Sequence, residues 1–279
     1  MDFEVFGQKI GRNRLFLIGG PCVIESEEIA SQVACFLKNT CERLRIPFVF
    51  KSSYDKANRT SGLSYRGPGL DRGLGILADI RDKYRIPVLT DVHAAADVEP
   101  VSQVVDILQI PAFLARQTDL VMAAGRTGKP VNLKKAQFLS PHDMGQVINK
   151  VKESGNEHIL LTERGSQFGY NNLVVDMRSL AILRKFAPVV FDATHSVQLP
   201  SAQADEHGPA VSGGQPEFIP VLARAAVAAG VDGVFLEVHD NPKEAKSDGA
   251  NALESTKLRE VLKELLAVRK ALDVAWATP

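Results

Sequence analysis

Eight short apolar runs recur along this chain, and each leads to a residue equipped for chemistry. Leu15–Ile18 runs on to Cys22, Phe48–Phe50 to Lys51, Val88–Thr90 to Asp91 and His93, and Val105–Leu108 to Gln109. Val131–Leu133 leads to Lys134, Ile159–Thr162 to Glu163 and Arg164, Val189–Phe191 to Asp192 and His195, and Val234–Leu236 to Glu237 and His239. Segments of helical spacing separate most of them. Strands this short, with little polar alternation, are covered on both faces, as in parallel sheets. Eight of them alternating with helices, with polar groups collected at one end, predict a (β/α)8 (TIM) barrel with its active site at the C-terminal face. An open doubly wound sheet is the alternative, but no Gly-x-Gly-x-x-Gly follows the first run.

The 279 residues suffice for one such barrel, so 1–279 reads as a single domain. Lys+Arg and Asp+Glu balance at 33 each, which argues against nucleic acid or a membrane surface as a partner held by bulk charge. The three cysteines, Cys22, Cys35 and Cys41, have no framework spacing and read as reduced thiols. No apolar stretch approaches the roughly 20 residues of a membrane span. Residues 1–14 lack a signal-peptide core, so the cytoplasm is the expected compartment.

Within 1–14, Phe3–Phe6, Gly7 and Gln8–Ile10 suggest a hairpin that plugs the barrel floor. Ser26 is placed to cap a helix whose first turn holds Glu27 and Glu28. Helical spacing puts Cys41 on that helix's apolar face and Cys35 off it. The last helix is expected from about Glu254 to Leu272. Three connections exceed the usual loop length: Ser52–Asp71, Ser196–Glu217 and Asp240–Asn251. All follow strands and open onto the active face. Gly208, Gly213 and Gly214 mark the middle one as a candidate mobile lid.

Lys51, Lys56, Arg59, Arg66, Arg116, Lys134, Lys135 and Arg164 lie at strand ends or just beyond. Taken singly, each reads first as a solvated surface charge. Together, on a neutral protein, they suit a substrate with more than one phosphate or carboxylate. Cys22, His195, Glu237 and Asp248 belong to the first, seventh and eighth strands and the last loop, which a closed barrel makes neighbours. Such a set suits Zn2+ or Fe2+. The plainer alternative is a buried free cysteine and a histidine that only hydrogen-bonds. Asp91, His93, Asp192 and His239 are acid–base candidates, with His93 and His239 read rather as orienting neighbours.

The loop Lys56–Ala57–Asn58–Arg59–Thr60–Ser61 and the run Gln109–Ile110–Pro111–Ala112–Phe113–Leu114–Ala115–Arg116–Gln117–Thr118–Asp119 resemble one family closely. Thr90–Asp91–Val92–His93, Asn132–Leu133–Lys134–Lys135, Phe191–Asp192–Ala193–Thr194–His195 and Ser247–Asp248–Gly249 extend the likeness along nearly the whole chain. The family is 3-deoxy-D-manno-octulosonate 8-phosphate synthase. The resemblance implies a barrel that condenses phosphoenolpyruvate with arabinose 5-phosphate, releases phosphate, serves lipopolysaccharide synthesis and assembles as a tetramer. It implies that Lys51, Lys56, Gln109, Lys134 and Arg164 hold phosphoenolpyruvate. It implies that Asn58, Arg59, Thr60 and Ser61 hold the pentose phosphate, with Thr60 where the family often has Ser. Phe113 joins the binding set, and Arg116 is expected to reach a neighbouring subunit's site. His195, Lys134, Asp91 and Asp192 form the expected catalytic group. Cys22 stands where metal-free members carry Asn, so Cys22, His195, Glu237 and Asp248 are similar to the set of the metal-dependent branch, and the implied cofactor is divalent Zn, Fe or Mn.

Three alternatives stand beside this. The related synthase using erythrose 4-phosphate usually has Lys-Pro-Arg-Thr-Ser in the second-strand loop, whereas here Ala57–Asn58 separates Lys56 from Arg59. A non-catalytic barrel that senses sugar phosphates fits poorly with Lys134, Arg164, His195 and Glu237 together. A metal-dependent aldolase acting on pyruvate has no use for so many phosphate-binding candidates.

Overall fold

The computed structural model describes residues 2–12, 14–57, 64–203 and 211–277. Eight parallel strands close into a barrel: β1 Phe16–Gly20, β2 Phe48–Lys51, β3 Val88–Asp91, β4 Ile107–Ile110, β5 Val131–Lys134, β6 Ile159–Glu163, β7 Val189–Asp192 and β8 Gly233–His239. Each pairs with the next, and β8 closes the ring on β1 with Val234 opposite Leu17. The helices between and after them are α1 Glu27–Leu44, α2 Leu70–Tyr84, α3 Ala95–Val104, α4 Thr118–Arg126, α5 Met144–Glu153, α6 Met177–Arg184, α7 Ile219–Ala228 and α8 Ser255–Ala277. This is the expected (β/α)8 barrel.

Side chains alternate across a strand, so residues two apart share a face. Phe16, Ile18, Val49, Leu89, Ile107, Leu160, Val190 and Phe235 point inward and form one apolar cluster. Leu17, Phe48, Phe50, Val88, Leu108, Leu133, Leu161, Phe191 and Leu236 point outward into a second cluster with the helices. The hairpin, Phe3–Val5 paired with Gln8–Ile10, adds Phe3 and Ile10 to the inner cluster and so plugs the floor. Gln8 pins it there, its Oε1 accepting from Phe48 N at 2.7 Å.

Ser26 caps α1, its Oγ accepting from Ile29 N at 3.1 Å. Cys41 is buried and Cys35 half-buried, as the helical spacing requires. The fourth strand begins two residues later than the apolar run. Val105 still donates its N–H to Val101 O as the cap of α3, and Asp106 Oδ2 accepts from Val88 N at 2.9 Å. Within the 196–217 connection Gln198–Gln203 pairs antiparallel with Val211–Gly214, and Gly208 of the lid candidate lies outside the described residues. A second ribbon, Ser166–Gln167 against Leu173–Val174, was not anticipated. The last helix runs five residues past Leu272, to Ala277.

Candidate active site

Inward parity carries the apolar layer into the site. One step of two residues beyond Val49, Leu89, Ile107, Val190 and Phe235 lie Lys51, Asp91, Gln109, Asp192 and Glu237. On β5, Asn132 and Lys134 share that face between the outward Val131 and Leu133. Of these, Lys51, Asp91, Gln109 and Lys134 line a cleft of about 350 Å3 at the C-terminal mouth together with Lys56, Arg164, His195 and Asp248, while Asn132, Asp192 and Glu237 lie buried beneath it. A wider hollow of about 1150 Å3 opens beside it over Asp240–Glu254 and shares Ser212 and Asp248. Its lysines, Lys243, Lys246 and Lys257, are exposed, so the desolvated charge belongs to the smaller cleft.

Gly20 governs the approach of β1 to β2. A Cβ there would lie 2.0 Å from Lys51 O. The closeness brings Cys22 O within reach of Lys51, whose Nζ donates to it at 2.9 Å and to Ser53 Oγ at 3.0 Å. Ser53 in turn donates to Asp91 Oδ1, and His93 Nε2 lies 3.0 Å from Asp91 Oδ2. Burial alone would raise the Asp91 pKa, but Lys56, Lys51 and His93 hold it well below the usual carboxylate range. Burial, then the Lys56 charge, lowers that of Lys51. Lys56 moves upward because Cys22, Asp91, Glu237 and Asp248 together outweigh its burial.

Across the mouth, Lys134 Nζ is 2.6 Å from Asp192 Oδ2 and stands 4.2 Å from the centre of the Phe235 ring. Asp192 also receives His195: the backbone N–H donates to Oδ1 at 2.8 Å, and Nδ1 lies 2.8 Å from Oδ2. The His195 and Lys134 charges overcome the effect of burial and hold Asp192 well below its ordinary pKa. Arg164, buried, donates from Nη2 to Gln198 Oε1 at 2.8 Å. Gln109 Oε1 accepts from Asn132 Nδ2 at 2.9 Å, and Asn132 Oδ1 accepts from Thr162 Oγ1 at 2.7 Å.

Cys22, Glu237 and Asp248 each offer a ligand atom within 4.8 Å of the others. The Cys22 thiol donates to Asp248 Oδ2 at 3.0 Å and lies 2.8 Å from Ser247 Oγ. The expected fourth member, His195, falls outside this group of three, although its Nε2 lies 3.6 Å from Glu237 Oε1. Burial, then Asp248 and Glu237, push the Cys22 thiol well above its usual range. Glu237 is 1 % exposed, yet neither of its oxygens has a hydrogen-bond partner among the described residues. Lys51 Nζ lies 3.7 Å from its Oε1.

Of the eight basic candidates, Lys51, Lys56, Lys134 and Arg164 meet in the cleft. Lys135 does not. Its opposite parity turns it away from the lumen, 3.4 Å from Glu163 Oε1, and its Nζ donates to Ala136 O, Leu139 O and Gly165 O. Arg66 pairs with Asp55 on the surface. Arg116 is exposed and lines no part of the cleft. Phe113 forms its rim at 49 % exposure. Asn58, Arg59, Thr60 and Ser61 lie outside the described residues. His239 faces Glu25, its Nε2 3.4 Å from Oε1. Sequence reasoning missed Ser53, Asn132 and Gln198. Inward parity would have found Asn132 and, two residues past Lys51, Ser53; Gln198 carries no local signal.

The architecture and this cleft define a class: a (β/α)8 barrel that gathers buried lysine and arginine beside a thiol, imidazole and carboxylate cluster. The chain belongs to the DAHP synthetase I family, whose model matches residues 4–273. It is 63% identical over 270 residues to the 2-dehydro-3-deoxyphosphooctonate aldolase of Koribacter versatilis, covering 97% of this chain and 96% of that one. It is 60% identical to the enzyme of the same name from Syntrophobacter fumaroxidans (96% and 92% covered) and 57% identical to that from Trichlorobacter lovleyi (96% and 97%).

Proposed function

We propose that this chain condenses phosphoenolpyruvate with D-arabinose 5-phosphate, giving 3-deoxy-D-manno-octulosonate 8-phosphate and inorganic phosphate for lipopolysaccharide synthesis. The observation that carries the reading is the convergence of Lys51, Lys56, Lys134 and Arg164, all buried, on one cleft beside Cys22, Glu237 and Asp248. Lone buried cations are costly. Four in one place suit a substrate that brings its own negative charges. The names of the relatives, which denote this same condensing enzyme, support the choice of substrates.

The chemistry is a carbon–carbon bond formation. C3 of the enol phosphate bonds to the aldehyde carbon, water adds at C2, and the C2–O bond to phosphate breaks. Lys51, Lys134 and Arg164, with Gln109 and Lys56, hold phosphoenolpyruvate and balance charges that would keep two anions apart. Asn58, Arg59, Thr60 and Ser61 take the pentose phosphate, with Phe113 at the rim. The Asp192–Lys134–His195 group supplies the proton that the aldehyde oxygen needs, and Asp91 keeps Lys51 and Lys56 oriented. Arg116, outside the cleft, is assigned to a neighbouring subunit's pentose phosphate in a cytoplasmic homotetramer.

The metal-dependent branch fits these residues. A buried carboxylate with both oxygens unbonded calls for a cation. His195 Nε2 lies 3.6 Å from Glu237 Oε1, and its Nδ1 has no hydrogen-bond partner among the described residues, so the ring is free to turn a nitrogen to a cation. Cys22, His195, Glu237 and Asp248 would hold a divalent Zn, Fe or Mn ion. Such an ion polarises an oxygen of the substrate or lowers the pKa of water. The described segments contain no helix long and apolar enough to cross a membrane.

The test is phosphate release from phosphoenolpyruvate with each aldose, before and after chelation. Turnover with arabinose 5-phosphate and not with erythrose 4-phosphate is expected. The reverse preference would assign the chain to the aromatic-pathway reaction. An undiminished rate in chelator would remove the metal. Arg59→Ala should chiefly raise KM for the pentose phosphate; a rise only for phosphoenolpyruvate would reverse the two subsites.

A further inference from the structure

Gln198 has no part in the roles assigned so far, yet it touches three of the groups that have. It follows directly on the helical turn His195–Val197 and donates its own backbone N–H to His195 O. Its side-chain Oε1 accepts from Arg164 Nη2 at 2.8 Å. Its Nε2 donates to Asp248 Oδ1 at 3.2 Å. The partners fix which way the amide points. A guanidinium can only donate and a carboxylate only accept, so flipping the amide would break both bonds. The contact also sorts the oxygens of Asp248. Oδ1 is occupied by Gln198, which leaves Oδ2 toward the Cys22 sulfur at 3.0 Å.

A second observation keeps this bridge in place. Gln198 pairs with Gly214 across the hairpin. Gly214 lies so close to the last loop that a Cβ on it would sit 2.4 Å from Ala250 O. The hairpin therefore rests, backbone on backbone, against the segment that carries Asp248. Asp248 itself holds a left-handed conformation, φ 50° and ψ 25°, which non-glycine residues adopt at a cost. A strained, half-buried carboxylate is held in direction by its partners, and Gln198 takes Oδ1 while the Cys22 thiol and Ser247 Oγ take Oδ2.

Resting on the metal and phosphoenolpyruvate roles proposed above, we infer that Gln198 is a positioning residue that couples the two. One end of its amide orients Arg164 for the substrate anion, and the other orients Asp248 for the metal. Metal and phosphoenolpyruvate then reinforce each other's binding through a single side chain. Coupling of this kind is reciprocal, and a ligand at either end must change affinity at the other by the same factor. Partners behind a metal ligand commonly set its affinity by about 10–100-fold.

The test uses the metal-stripped full-length protein titrated with Co2+, read by the near-ultraviolet thiolate-to-cobalt band that Cys22 would supply, with and without phosphoenolpyruvate. In the native protein phosphoenolpyruvate should tighten Co2+ about tenfold. In Gln198→Ala the tightening should fall below about twofold, with Co2+ alone bound about tenfold more weakly. Gln198→Glu keeps an acceptor for Arg164 but loses the donor to Asp248, so it should lose the coupling as well. Thermal melting verifies that each variant is folded. Should either variant prove unfolded, the coupling is read from the other. Equal tightening in native and variant proteins would overturn the role of Gln198 and leave the metal site standing. No thiolate–cobalt band in the native protein would overturn the metal site, and this inference with it.

Discussion

The floor and the mouth of the barrel are built by the same strands with the same inward parity, and they differ only in how far along each strand one looks. At the floor the inward positions are Phe16, Val49, Leu89, Ile107, Leu160 and Val190, closed from below by Phe3 and Ile10. One or two steps later the positions on these strands and their neighbours are Lys51, Asp91, Gln109, Lys134, Asp192 and Glu237, all 5 % exposed or less. Packing is nondirectional and satisfied by shape. The mouth buries ionised groups whose cost is met only in part by each other. The floor stores the stability that the mouth spends.

The contrast can be broken at several points. Cys22→Ala should leave the floor intact while metal content falls to background and kcat drops on the order of 1000-fold, as loss of a metal's several kcal/mol would give. Elemental analysis and steady-state kinetics measure both, and full activity at zero metal would refute the assignment. Phe16→Ala should do the opposite, costing about 3–5 kcal/mol in urea unfolding with kcat of the folded protein unchanged. A variant that loses kcat and keeps its stability would mean that the floor is catalytically coupled to the mouth.

Adjacent lysines sharpen the parity argument. Lys134→Met should lower kcat/KM by about 100- to 1000-fold. Lys135→Met, with opposite parity, should leave KM for phosphoenolpyruvate within about twofold and alter unfolding instead. Equal kinetic losses would show that parity does not divide their roles.

Acid should strike the mouth first. Asp91 and Asp192 are held below their ordinary pKa, so their contribution is complete above the unfolded carboxyl value of about 3.9. It is lost as pH falls from there toward their folded values. Urea midpoints between pH 5 and pH 2.5 should decline less steeply for Asp192→Asn than for the native chain, and parallel curves would rule out this origin. The smallest effect belongs to the periphery: Ser26→Ala should cost about 1 kcal/mol through the lost cap of α1, with no change in KM.

Much of this was legible because a strand's period is short and strict. Val88–Asp91 and Val131–Lys134 could be read within a residue or so, and inward parity separates Lys134 from Lys135. The start of β4 was not readable, because Val105 serves the end of α3 although it is as β-prone as its neighbours. Gln198–Gln203 was missed because Leu-Pro-Ser-Ala-Gln has no alternation. Its pairing is set by Val211–Gly214 and by the loop beneath it. Cys22, Glu237 and Asp248 come from opposite ends of the chain, and only closure of β8 on β1 makes them neighbours. No spacing rule encodes a contact of that range.

The hairpin has one further consequence. With Phe3 and Ile10 wedged into its base beneath the inward apolar layer, and Gln8 tethered to Phe48, the barrel is a bottle and not a pipe. Reactants and released phosphate must therefore share one doorway, the C-terminal mouth. Removing residues 1–14 would uncork the bottle, letting solvent reach Phe16 and Phe235 from behind long before any catalytic group had been touched.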